Sequence, residues 1–133
     1  MNRISTKVKM LVVLCAAFML CSTVAYAREI ANYNMIIPRF GGVTYTDTLL
    51  KDNQSRAVNN NTSVGGGYTM NCAIYRGNDK LTGTFSANSG DRILLKYNNP
   101  ANDVGTRVKM GAWTSLFTTV KVQATGSWSP DEN

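Results

Sequence analysis

From Tyr68 to Tyr75 the side chains alternate without a break: Tyr68, Met70, Cys72 and Ile74 fall on one face, Thr69, Asn71, Ala73 and Tyr75 on the other. A period of two is the signature of a β-strand with one face turned to a core. The pattern recurs along the chain, each run bounded by Gly, Asn, Asp or Pro. Tyr33, Met35 and Ile37 alternate with Asn32, Asn34 and Ile36 before Pro38. Val43 to Thr46, Ile93 to Tyr97, and Arg107 to Trp113 repeat the alternation, and a last strand is read over Thr118 to Trp128 with Val120, Val122, Ala124, Gly126 and Trp128 inward. Ser55 to Val58 and Leu81 to Ala87 are weaker strand candidates, while Asn59 to Ser63 with Gly65-Gly66-Gly67 reads as a polar loop. Helical periodicity is hard to find after residue 28. Seven or eight short strands with turns at a spacing of about 8 to 12 residues predict an all-β, antiparallel β-sandwich, because one-sided strands must bury their apolar faces against a second sheet.

The start of the chain follows a different rule. Arg3, Lys7 and Lys9 form a basic n-region, Met10 to Val24 an apolar run, and Ala25-Tyr26-Ala27 a small-x-small cleavage site. This is the pattern of a secretory signal peptide over residues 1–27, cut between Ala27 and Arg28. The apolar run is shorter than the roughly 20 residues a membrane span needs. Cys15 and Cys21 follow leucines, which argues against a lipid anchor. The expectation is one exported domain, residues 28–133. Its eleven basic and eight acidic residues leave a net charge of +3, scattered rather than clustered, which argues against nucleic acid as partner. Only Cys72 survives cleavage, so no internal disulfide can form.

The 133-residue chain contains no histidine, which removes the commonest general base and metal ligand. The acids Glu29, Asp47, Asp52, Asp79, Asp91, Asp103, Asp131 and Glu132 sit mostly in turn sequences, where aspartate serves Asx hydrogen bonds. Calcium ligation by Asp79, Asp91 or Asp103 lacks the spacing of a calcium loop. Cys72, beside Met70 and Ile74, reads as a core thiol rather than a nucleophile. No nucleophile elbow or phosphate loop is present. The chain is therefore expected to be non-enzymatic and to need no cofactor or metal.

Ligand-binding candidates are few. Tyr33, Tyr45, Tyr68, Tyr97, Trp113 and Trp128 read mainly as core, whereas Tyr75 lies opposite the Met70/Cys72/Ile74 stripe and is singled out as a ring for a sugar or wall ligand. Asn60, Asn61 and Asp79 join it as loop residues, since loops carry most binding groups. Asn53-Gln54-Ser55, Asn60-Asn61-Thr62 and Asn61-Thr62-Ser63 also match a glycosylation acceptor.

The export leader, Asn32-Tyr33-Asn34-Met35-Ile36-Ile37-Pro38, the middle Ser89-Gly90-Asp91 and the closing Thr125-Gly126-Ser127-Trp128-Ser129-Pro130-Asp131-Glu132 resemble an uncharacterised family of small secreted proteins of Gram-positive bacteria. The resemblance implies a β-rich extracellular domain with no catalytic residues to carry over, and for some members a bacteriocin-like role. Two expectations follow: a secreted module binding an extracellular or cell-surface partner, or a membrane-active antibacterial protein using the strand Val43 to Thr48. Edge strands leave pairing with a second copy open.

Overall fold

The computed structural model describes residues 27–133, so the leader reading lies outside the described residues except at Ala27 and Arg28. Ten strand segments form two antiparallel sheets packed as a sandwich: β1 (Ala31–Ile37), β2 (Thr44–Tyr45), β3 (Leu49–Leu50), β4 (Ala57–Val64), β5 (Met70–Arg76), β6 (Asp79–Lys80), β7 (Phe85–Ala87), β8 (Arg92–Leu95), β9 (Arg107–Trp113) and β10 (Val122–Ser129). The all-β reading and the two-sheet architecture hold. Sheet one runs β1-β10-β4-β8. In sheet two, β5 and β9 are the centre; β2 and β3 lie end to end along the free side of β9, and β6 and β7 along the free side of β5.

Most inward positions are those that alternation picks out; Tyr68, which precedes β5, and Tyr45 on β2 are instead exposed and are not core. Tyr33, Met35 and Ile37 of β1, Met70, Cys72 and Ile74 of β5, Val108, Met110 and Ala112 of β9, and Val122, Ala124 and Trp128 of β10 are all buried in one cluster. Each large apolar side chain contributes roughly 1.5–3 kcal/mol by leaving water, and this set dominates the stability.

Four readings need correction. Asn59 to Ser63 is not a loop but the middle of β4, with Asn59 and Asn61 buried and Asn60 exposed. Asparagine is a poor strand former, and its presence reads as a turn. Here the inward amides are kept in the ladder by a partner on β1: the Tyr33 hydroxyl lies 2.7 Å from Asn59 Oδ1 and 3.1 Å from Asn61 Oδ1. Asn61 Nδ2 donates to the Asn88 carbonyl. The last strand begins at Val122, not Thr118, and Val120 is exposed. A turn closed by Thr118 N–H donating to Ser115 O holds that stretch as a loop. Leu81 to Ala87 is strand only from Phe85, with Thr82 making an isolated bridge to Tyr97. Val43 to Thr48 contains only the two-residue β2, bonded onward through Thr46 N–H to the Met110 carbonyl.

The register puts the connecting loops at two opposite ends. β1 and β4 finish, and β10 and β2 begin, at one end, whereas β8 begins partway down β4, opposite Asn60. β5 starts and β9 and β7 finish there too. That end therefore carries loops 38–43, 65–69, 88–91 and 114–121. The other carries 51–56, the hairpin tip at Gly77-Asn78, 96–106 and the C-terminal tail.

Candidate functional site

Sheet two turns one face to solvent, and strand parity decides what stands on it. On β9 the inward residues are Val108, Met110 and Ala112, so Arg107, Lys109, Gly111 and Trp113 face out. On β5 the outward set is Asn71, Ala73 and Tyr75, and the ladder places Lys80 of β6 opposite Tyr75, Ser86 of β7 opposite Asn71, and Tyr45 of β2 opposite Gly111. Three aromatic rings and three cations share this face, with no carboxylate at its outward ladder positions.

The rings are held in place. Tyr45 and Tyr75 meet edge to face, with centroids 5.5 Å apart and planes at 90°. They fit because Gly111 lies between them: a β-carbon there would stand 2.7 Å from Tyr75 Cε2 and 3.0 Å from Tyr45 Cε1. Lys109 Nζ sits 4.1 Å from the Tyr45 centroid and Lys80 Nζ 5.6 Å from that of Trp113, both within cation–π range. Lys80 also donates to Thr84 Oγ1, and Arg107 donates to Thr48 from Nε and Nη2. Burial raises the Tyr75 phenol above its usual range, with Tyr45 adding a smaller push, so it stays a neutral ring and hydrogen-bond donor.

Tyr45 also borders a cleft of about 200 Å³ between the edge strands β1 and β2, where Asn32, Asn34, Thr46, Asp47 and Trp128 contribute to the walls. The volume is below the roughly 300–1,000 Å³ of a pocket for a drug-sized molecule. It suits one ring or side group of a longer ligand. Trp128 is buried, yet its indole Nε1 has no hydrogen-bond partner among the described residues, an uncommon state for a buried donor.

The candidates from sequence separate. Tyr75 is where alternation puts it, outward and half-buried, and forms part of the platform. Asn61 is buried and bonded to Tyr33 and Asn88, so it serves the fold and offers nothing to a ligand. Asn60 is exposed, but on sheet one, across the sandwich from Tyr75. Asp79 is exposed at the hairpin opposite Arg76, on the other side of the ladder from Tyr75 and Lys80. Ala27 is exposed, and Arg28 Nη1 donates to the Asp131 carbonyl. Alternation alone would have placed Lys109 and Trp113 on the platform; the pairing of Tyr45 with them is a long-range register that one strand cannot reveal.

Cys72 lies in the core, with Asn59 Nδ2 3.6 Å from its sulfur. Burial pushes its thiol up to about 11, against a weaker lowering by that hydrogen bond, so the thiolate is disfavoured at neutral pH. Among the described residues no three His, Cys, Asp or Glu side chains gather where they would hold a metal ion. The chain matches no family model and no curated protein sequence.

Proposed function

We propose that the chain is an exported, non-enzymatic binding module that lays an acidic glycan across the outer face of sheet two. The observation that carries this reading is the composition of that face: Tyr45, Tyr75 and Trp113 beside Lys80, Lys109 and Arg107, with no carboxylate interleaved. Flat rings stack on sugar faces, and lysines supply charge complementarity to carboxylated or phosphorylated units. The cleft beside Tyr45, walled in part by Asn32, Asn34 and Asp47, gives a polar seat to a neutral, hydroxyl-bearing terminal unit, because the Asp47 carboxylate would repel an acidic one.

Titration calorimetry of the purified protein with polygalacturonate, and with neutral dextran as control, tests the reading. The expected result is binding to the uronate polymer only, weakened by added salt, and reduced about tenfold by Tyr75→Ala or Lys109→Ala. Equal affinity for dextran, no binding to either, or tighter binding to single-stranded DNA than to the uronate would each overturn it.

A further inference from the structure

At the end of the sandwich that carries loops 38–43 and 114–121, two turns stand side by side. In the first, Gly42 N–H donates to Arg39 O at 3.2 Å, and the central residues Phe40 and Gly41 both have positive φ, 56° and 73°. Such a turn favours Asn-Gly; a phenylalanine at positive φ is a strained choice. In the second turn, Ser115 to Thr118, the central residues are Leu116 and Phe117, where polar residues are the rule. The turns are stitched together by Phe40 N–H donating to Thr118 O at 2.8 Å, and Leu116 lies over Gly41, its Cδ2 2.9 Å from where a β-carbon on that glycine would be. The result is a projection of two joined turns whose side chains face water: Phe117 is 89% exposed, Leu116 71% and Phe40 60%. Val43, Tyr68 and Val120 are exposed at the same end.

The charges around this projection have one sign. Arg39 and Lys121 are exposed beside the two turns and none of the eight acids is, since the ladder sets Arg92, with Asp91 before it, opposite Asn60 and level with Asn32 near the start of β1. We propose that this tip docks the protein on an anionic lipid surface, with Phe40, Leu116 and Phe117 entering the headgroup boundary and Arg39 and Lys121 facing lipid phosphates. Apolar residues flanked by cations are what such an interface takes up. A second copy fits the tip poorly: three side chains offer on the order of 500 Å² where a stable dimer needs about 800 Å² per partner, and the cations would meet like charge. Nor does the contact require a spanning segment, and among the described residues no helix is long and apolar enough to cross a membrane. The proposal is independent of the glycan reading, since it uses the end of the sandwich and not the face of sheet two.

Co-sedimentation of the purified protein with vesicles of equal phosphatidylglycerol and phosphatidylcholine, and with phosphatidylcholine alone, provides the test. The protein is expected to pellet with the anionic vesicles, at least tenfold more weakly with the neutral ones, and several-fold more weakly in 0.5 M salt on account of charge screening. Leu116→Ser with Phe117→Ser should lower binding at least tenfold while far-UV circular dichroism stays unchanged. Tyr75→Ala should leave vesicle binding as it was. A Phe117→Trp variant gives a readout that does not depend on a loss: its emission should shift to the blue when anionic vesicles are added. Failure of the native protein to pellet, equal pelleting of the Leu116/Phe117 variant, a loss with Tyr75→Ala, or a tip-dependent dimer in sedimentation equilibrium that ignores vesicles would overturn the proposal.

Discussion

The two ends of the sandwich solve the same problem, closing the space between two sheets, in opposite ways. At the tail end, a lysine and an aspartate are fully buried. Lys51 Nζ donates to Asp131 Oδ1 at 2.7 Å, to Ser55 O at 2.8 Å and to Pro130 O at 3.3 Å, which uses all three of its protons. Its ammonium also sits 3.9 Å from the Tyr97 centroid, while Tyr97 donates to Pro130 O and Asp52 N–H to Asp131 Oδ2. At the opposite end, apolar side chains are left in water and one backbone turn is strained. The difference teaches where the molecule invests structure for folding and where it retains groups that folding does not use.

Removing one member of the tail-end pair should have the largest effect. Asp131→Ala leaves an ammonium buried among carbonyls and an aromatic ring, and such a loss costs about 3–5 kcal/mol. Urea denaturation should show the midpoint falling without a change in slope. Replacing both partners, Lys51→Met with Asp131→Leu, should be milder than either single change because no uncompensated charge remains. If Asp131→Ala is nearly neutral, the contrast between the ends collapses.

The core between the ends has its own signature, which is alkaline. Burial raises the Cys72 thiol from its usual 9.0 to about 11, and raises Tyr33 and Tyr97 well above their usual 10.0. In each case the folded state holds the proton more tightly than the unfolded chain. The stabilisation is fully present below the unfolded pKa and is lost as pH rises toward the folded one. Stability should thus be flat with respect to these groups up to about pH 9 and then fall, by about 1.4 kcal/mol per pH unit for each group titrating. Between pH 9 and 10 Cys72 acts before the tyrosines, so Cys72→Ala should flatten that part of the curve in chemical denaturation at stepped pH. The tip has no part in this, and tip variants should keep the native slope.

Much of the sandwich was legible because its strands obey one local rule. Tyr33, Met35 and Ile37, the β5 stripe, and Val108, Met110 and Ala112 could be assigned to the core from alternation alone. What escaped was set by partners far along the chain. β4 hides behind asparagines because their inward amides are met by distant partners: the one Tyr33 hydroxyl proton shared between the Asn59 and Asn61 oxygens, and the Asn88 carbonyl that accepts from Asn61 Nδ2. Lys51 and Asp131 are 80 residues apart, and charged residues in turn-like sequences read as solvated. Of the platform, Tyr75, Lys109 and Trp113 are within reach of parity; Tyr45 and Lys80 need the register of other strands.

A smaller effect tests the strain at the tip. Asparagine tolerates positive φ better than phenylalanine, so Phe40→Asn should raise stability by roughly 1 kcal/mol, the order of the penalty for a left-handed non-glycine residue. The same change should weaken vesicle binding. Thermal melts beside co-sedimentation would read both; a destabilised variant would mean that Phe40 serves packing after all.

The smallest expected effect sharpens the comparison most. Leu116→Ser with Phe117→Ser alters two of the most exposed apolar side chains, and since neither is buried on folding the change should shift stability by no more than about 0.5 kcal/mol. Set against the several kcal/mol expected for Asp131→Ala, a result near zero would mean that the fold does not require these residues. Their presence at a turn where polar residues cost nothing would then rest on what they touch outside the molecule. A loss above 1 kcal/mol would instead show that they cover the core, and the tip would join the tail as a structural closure.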